Sequence, residues 1–402
     1  MSKISKQDIW IILAGYLAAI NVGKLAPIIP ILQNELDISF AQAGLSLSLI
    51  QGAGMLFALC IGAFSERIGL KLCLIVGLII LGISSIAGYF INTVFSLYLF
   101  RFGEGIGYLC ITICAPAILK RISTSQSLNF KLGLWSSYMG GGVGFAILTI
   151  PLLLDYMTWQ ELWVILGCVS FFIAAMIQWC VTLKEEISIS QQNSSFLNIL
   201  KITLTHPPVL CLAIIFSCYA GQWTTLVGLL PSMYVNDGLS LKTAGMLVSV
   251  VVLANLVGTF SGGSLLQRGI SPSRLLNFSL ISVLVANIIA FSTTKWLSFE
   301  FKYISAILSS LLGGLIPTTI FAITIQYAPR LNAIAASVGL VIQVSACAQL
   351  LIVPLSAFVV TKTQDWSSLA IISSCLCLLG LMMVYFLFQN YSSKYNKMNT
   401  SL

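Results

Sequence analysis

The chain has 402 residues, of which 58% are hydrophobic and only 8% charged, against about 25% charged in an ordinary soluble domain. No soluble core of ordinary shape hides that much apolar surface. The net charge of +8 is scattered over short connections, so it forms no basic solvated face for nucleic acid.

Twelve apolar stretches are long enough to cross a bilayer, which takes about 20 residues as a helix. They lie near 9–32, 41–64, 72–92, 94–119, 132–154, 162–183, 209–234, 242–266, 274–294, 302–325, 332–358 and 367–388. Runs such as Leu72 to Ile83 are continuously apolar rather than alternating, which selects helices over a barrel. The first stretch follows Lys3 and Lys6 like a signal peptide, but it is too long and no small-residue cleavage site follows it. It reads as the first membrane helix, and within it Lys24 stands one turn after Asn21.

The second stretch ends in Gly62-x-x-x-Glu66-Arg67-x-Gly69-x-Lys71. Its glycines permit close backbone approach and a tight turn, and its charges sit where a cytoplasmic gate would latch. The fourth stretch carries Arg101 and Glu104, with Cys110 and Cys114 one turn apart. Neither that pair nor Cys375 and Cys377 has His or acidic company, so the eleven cysteines read as small buried apolar residues. The fifth stretch opens on Tyr138 and a run of glycines, with Gly140-x-x-x-Gly144 on one face. Polar residues over 184–208, ending in His206-Pro207-Pro208, make the one connection with linker character. It divides a bundle over 1–183 from another over 209–402.

The second half is almost free of charge at membrane depth. Its neutral candidates for lining a cavity are Gln222, Trp223, Asn255 and Gln343, joined by Gln51 and Tyr138 from the first half. Gly258-x-x-x-Gly262 offers another small-residue face for helix packing. Trp10, Trp159, Trp296 and Trp366 fall near span ends and are expected in the interfacial aromatic belt. An N-terminus in the cytoplasm places 14 of the 20 basic residues on the cytoplasmic side, as the positive-inside rule requires.

A repeat ties the halves together. Pro30, Ala43-Gly44, Ser48, Gly62 and Glu66-Arg67 recur as Pro231, Ala244-Gly245, Ser249, Gly263 and Gln267-Arg268, each 201 residues on. The same interval sets Gln222 at the Asn21 position and Thr225 at the Lys24 position. A membrane chain with repeated halves points to a secondary transporter.

Those motifs carry a resemblance. The Gly62 to Lys71 segment is similar to the loop signature between the second and third helices of the major facilitator superfamily, with Glu where Asp is commoner. Arg101-x-x-Glu104-Gly105-x-Gly107 resembles its fourth-helix motif, and Tyr138 to Gly144 is a loose version of its glycine-rich fifth-helix motif. Asn21-x-x-Lys24-x-x-Pro27 is similar to the Asn-x-Arg-Pro region of the cyanate-permease and nitroimidazole-transporter branch, with Lys for Arg and a different spacing. The resemblance implies twelve transmembrane helices in two pseudo-symmetric six-helix bundles, a central cavity and, commonly, proton coupling.

Each ionisable group inside a membrane costs about 2.5–3.5 kcal/mol on insertion scales, so Lys24, Arg101 and Glu104 need a reason. Helix rise places Lys24 and Glu104 at similar depth, roughly 12 and 15 Å from the outer ends of their helices. Three readings stand. Lys24 and Arg101 attract an anionic substrate; Glu104 carries a coupling proton; or Arg101 and Glu104 only hold the bundle together as an i,i+3 pair. The expectation is a proton-coupled transporter of a small, organic, anionic solute. It is expected as a monomer in a bacterial cytoplasmic membrane, with both termini cytoplasmic and no cofactor or metal. Drug or metabolite efflux is the alternative. A membrane enzyme lacks its zinc-ligand spacing, acidic cluster or phosphate loop, and a receptor lacks a soluble output domain.

Overall fold

A computed structural model describes residues 4–38, 40–183, 196–294 and 296–400. Of the linker expected over 184–208, residues 184–195 lie outside the described residues, as do Lys3 and Lys295. The described residues form helices and no strand, and twelve spans are long and apolar enough to cross a membrane.

The chain divides into two compact units. The first holds α1 (Lys6–Gly23), α2 (Ile29–Leu36), α3 (Phe40–Ile68), α4 (Leu70–Ala87), α5 (Val94–Ile122), then α7 (Tyr138–Leu153), α8 (Trp159–Cys180) and the short α9 (Phe196–Leu204). The second holds α6 (Ser125–Ser136), α10 (Pro207–Asn236), α11 (Leu241–Gln267), α12 (Pro272–Ala290), α13 (Phe299–Gly313), α14 (Leu315–Tyr327) and α16 (Ser368–Thr400). Helix α15 (Ile334–Thr363) is shared: Ala328–Gln343 counts with the first unit and the rest with the second. Each unit has therefore taken in one segment from the other half of the sequence.

Glycine explains those two exchanges. In the first unit a Cβ on Gly62 would strike the backbone of Ala335 and Ala336, and one on Gly339 would strike the Ala58 carbonyl. In the second unit a Cβ on Gly263 would come within 3.0 Å of the Gly133 backbone, and Phe130 meets Phe260 edge-on at 6.0 Å. Backbones approach this closely only where small residues allow it. The glycine face expected at Gly258 and Gly262 packs inside the second unit, against Leu311 and Leu315. On α7 it is Gly142, on the opposite side of the helix from Gly140 and Gly144, that lies against Ala19 and Tyr16.

Local signals set the helix ends. Capping boxes at Ser5 with Asp8, Thr93 with Ser96, and Thr158 with Glu161 open α1, α5 and α8. Gly69 turns the chain from α3 into α4 at φ +99°, a conformation that favours glycine. The most enclosed spans are Val94–Ile122, Phe299–Tyr327 and Pro207–Asn236, with 83%, 78% and 72% of their apolar windows buried. These helices position the polar groups described below.

Trp159 departs from the expected interfacial belt. It is 2% exposed, sets its ring 5.3 Å from Trp163 and donates its indole N–H to Glu35 Oε2 at 2.9 Å. The capped start of α8 turns it into the core of the first unit, and the carboxylate supplies the partner its N–H needs. Trp296, at 97% exposed, is a surface residue as an interfacial anchor should be.

Candidate functional site

The polar centre of the first unit begins with an interrupted helix. Pro27 has no backbone N–H to continue the ladder, so α1 stops at Gly23 and Lys24 caps it, its own N–H bonded to the Ile20 carbonyl at 2.8 Å. The last carbonyls of α1 are then free to accept. Arg101 of α5 takes the Asn21 carbonyl with Nη1 at 2.9 Å and the Val22 carbonyl with Nη2 at 3.5 Å. A cation at a helix C-terminus is favoured by the helix dipole.

Four helices converge on Lys24. Its ammonium donates to Asn21 Oδ1 at 2.9 Å, to Ser85 Oγ of α4 at 2.8 Å and to Glu104 Oε1 of α5. Ser85 in turn donates its hydroxyl to the Trp163 carbonyl of α8 at 2.7 Å, and the Trp163 ring lies 4.0 Å from the Lys24 nitrogen. Glu104 Oε2 accepts from Arg101 Nη1 at 2.6 Å. Asn21, Lys24, Ser85, Arg101, Glu104 and Trp163 are all 0% exposed.

Two properties of this cluster matter. An ammonium has three N–H donors, and all three of Lys24 are in use. The charges do not balance, because two cations share one carboxylate. Burial disfavours each charge, and only pairing offsets that penalty.

The second unit has a neutral cluster among its own helices. Asn287 of α12 donates to Gln222 Oε1 of α10 at 2.7 Å and to Ser373 Oγ of α16 at 2.6 Å, and accepts from Ser309 Oγ of α13 at 2.6 Å. One turn away Asn255 of α11 donates to the Tyr219 hydroxyl at 2.7 Å and the Ser310 carbonyl at 2.8 Å. Trp223 donates its indole N–H to Ser310 Oγ at 3.0 Å.

The structure thus brings Asn21, Lys24, Arg101 and Glu104 together, and sets Gln222, Trp223 and Asn255 in hydrogen-bond networks of the second unit. Tyr138 pairs with the Tyr108 hydroxyl at 3.1 Å. Gln343 lies elsewhere, accepting the Leu59 backbone N–H of α3 at 3.0 Å. Sequence reasoning missed Ser85, Trp163, Tyr219, Asn287, Ser309, Ser310 and Ser373. The repeat interval was a usable signal for one of them, since it carries Ser85 to within one residue of Asn287.

The loop motif forms a second site in the first unit. Glu66 accepts the Ala335 backbone N–H at 2.7 Å with one oxygen and pairs with Arg121 at 3.0 Å with the other. Ala335 lies in the first turn of α15, where a carboxylate meets unsatisfied N–H groups and the positive end of the helix dipole. Lys71 donates to the Gln178 carbonyl in the last turn of α8 at 2.8 Å, and Arg67 is exposed.

The comparisons with known proteins agree with this architecture. The family model of the Major Facilitator Superfamily matches residues 11–338 and 212–399. The cyanate transport protein CynX of Escherichia coli is 24% identical over 218 residues. That stretch is 53% of this chain and 53% of that protein, so the chain spans about half the length of this relative. The fucose:proton symporter FucP of Escherichia coli superposes with a TM-score of 0.76 at 18% identity, over 94% of this chain and 98% of that one. The proton:xylose symporter XylE superposes with a TM-score of 0.72 at 12% identity, over 94% of each. With twelve spans long and apolar enough to cross a membrane and this family match, the chain belongs to the Major Facilitator Superfamily and is a multi-pass membrane transporter.

Proposed function

We propose that this transporter carries a small organic anion together with protons by alternating access, as a monomer in a bacterial cytoplasmic membrane with both termini in the cytoplasm. The observation that carries the reading is the buried charge imbalance: Lys24 and Arg101 against Glu104, all 0% exposed. A single carboxylate cannot neutralise two cations, and an anion is the ligand that completes the balance. A cationic efflux substrate would worsen it. The relative named as a cyanate transporter supports the anion; the structural neighbours named as fucose:proton and proton:xylose symporters support the coupling to protons alone, since their named sugars are neutral.

In this account Lys24 and Arg101 hold the anion, Asn21 orients Lys24, and Glu104 carries the coupling proton. Tyr138, Gln222, Trp223 and Asn255 offer neutral hydrogen bonds and shape, whereas Gln343, bonded to the Leu59 backbone, is left out of this role. The bundles over 1–183 and 209–402, joined by the loop over 184–208, alternate as bodies. Gly62, Glu66, Arg67, Gly69 and Lys71 make the cytoplasmic gate, with the Glu66 carboxylate on the start of α15 as its latch.

The test is transport by the full chain in proteoliposomes under an imposed pH gradient, with cyanate and small carboxylates set against neutral solutes. The reading expects an anion to accumulate, and Lys24→Ala to remove that accumulation. Accumulation of a neutral solute and of no anion, or an unchanged anion affinity in Lys24→Ala, would overturn it.

A further inference from the structure

We propose that Tyr108, steadied by Tyr138, is a second recognition point for the solute, donating its phenolic O–H to an uncharged acceptor carried about one helical turn from the anionic end. This rests on the anion reading above and names the solute class: a monoanion that also bears a carbonyl or similar neutral acceptor.

Helix α5 lays out one stripe. Arg101, Glu104 and Tyr108 follow one another at i, i+3 and i+7, the spacing that keeps side chains on one helix face. Exposure changes along that stripe: Arg101 and Glu104 are 0% exposed, whereas Tyr108 is 7% and Tyr138 is 6% exposed. Helix α1 packs against both α5 and α7, and the bond between the Tyr108 and Tyr138 hydroxyls, at 3.1 Å, reaches from one of these helices to the other. The two rings stand 6.5 Å apart at 42°. Met139 of α7 sets its sulfur 3.9 Å from the Tyr108 hydroxyl.

The Tyr108 proton is poorly used. Its two partners are a phenol oxygen and a thioether, and the thioether is a weak acceptor. A carbonyl on a bound solute accepts better, and the hydroxyl hydrogen can rotate to meet it. Tyr138 can then donate to the Tyr108 oxygen, so the pair keeps its bond while Tyr108 gives its proton to the solute. Tyr108 is thus the recognising group and Tyr138 its positioning residue. Thr112, one turn further along α5, already directs its hydroxyl to the Tyr108 and Leu109 carbonyls and offers no competing donor.

Charge and spacing set the class. Two cations face one carboxylate in the cluster, so a single negative charge completes the balance and the group that meets Tyr108 is uncharged. Lys24 and Arg101 converge at the level of Glu104. Tyr108 stands four residues on, about 6 Å along the helix axis. A linear anion as short as cyanate cannot reach both points. A carboxylate whose carbonyl lies beyond two methylenes, as in 4-oxopentanoate, can.

Calorimetric binding of matched acids to the full-length protein tests this. 4-Oxopentanoate and pentanoate differ by one carbonyl at the required reach, whereas pyruvate and propionate differ by a carbonyl too close to the carboxylate. The wild type should bind 4-oxopentanoate about three- to tenfold tighter than pentanoate, as one buried hydrogen bond contributes, and should show no such preference for pyruvate over propionate. Tyr108→Phe should remove the preference and leave the pentanoate affinity unchanged; Tyr138→Phe should reduce the preference. A role in packing alone would shift both members of a pair together. Equal wild-type affinity for 4-oxopentanoate and pentanoate overturns the proposal and leaves the anion reading intact. A preference that survives Tyr108→Phe at full size, or an equal preference for pyruvate over propionate, does the same. Binding of none of the four acids overturns both.

Discussion

The two units tie their helices together at related places with opposite chemistry. In the first, Asn21, Lys24, Ser85, Glu104 and Trp163 join α1, α4, α5 and α8 through ions. In the second, Gln222, Asn287, Ser309 and Ser373 join α10, α12, α13 and α16 through amides and hydroxyls. The repeat relates them directly, because Gln222 stands at the Asn21 position and Thr225 at the Lys24 position. Both networks hold four helices, yet only one can change its charge. A neutral network is held by hydrogen bonds, each contributing about 0.5–1.5 kcal/mol net. An ionic one is a poor source of stability against an apolar replacement.

That contrast can be broken from either side. The largest effect should come from Glu104→Gln, which leaves two buried cations without a counter-ion and should destabilise the first unit by about 3–5 kcal/mol. Adding Lys24→Met should recover a large part of that loss, because one cation is then removed as well. Thermal unfolding of the single and double variants in detergent measures the coupling. Equal losses in the single and double variants would show that the ion pair does not set the stability.

Asn287→Ala is the matching change in the second unit. It strands the Gln222 oxygen and two serine hydroxyls and should cost about 1–3 kcal/mol. Proton uptake per anion should stay at the wild-type value, since no charge is touched. Loss of proton uptake in Asn287→Ala would erase the division of labour between the units.

Gly62→Val tests the shared segment of α15. Its side chain would meet the Ala335 and Ala336 backbone, and the overpacking should cost about 1–3 kcal/mol. Cross-linking between cysteines introduced on α3 and α15 should fall accordingly, and Gly263→Val should act likewise on α6 and α11. The smallest effect is expected from Glu66→Gln. It keeps an acceptor for the Ala335 N–H but loses the charge on the α15 dipole and on Arg121, about 0.3–1 kcal/mol. Hydrogen exchange at the start of α15 should rise modestly in this variant and not in Arg67→Gln, whose side chain is exposed.

Much of this was legible in the sequence because membranes make some errors expensive. Apolar runs had to be helices, and three ionisable residues inside them demanded partners, so Lys24, Arg101 and Glu104 stood out before any coordinates. Helix rise alone set Lys24 and Glu104 at similar depth. The neutral partners did not stand out. A serine such as Ser85 or Ser309 is tolerated in a membrane helix when it bonds its own backbone, so its presence marks no site. Asn287 was the informative residue that went unread, for an amide in an apolar helix needs partners on other helices. Trp159 was misplaced because position near a span end says nothing about which way a ring turns. The sharing of α15 between units was hidden too, since backbone contact at Gly62 and Gly339 leaves no hydrophobic pattern.

The protonation state of one carboxyl decides the account most directly. Infrared difference spectra of the full-length transporter, recorded on adding an anion that it binds, should gain the C=O band of a protonated carboxylic acid as Glu104 takes up the coupling proton. That band should be missing from Glu104→Gln. An anion that binds with no such band, or with the same band in Glu104→Gln, would contradict the account.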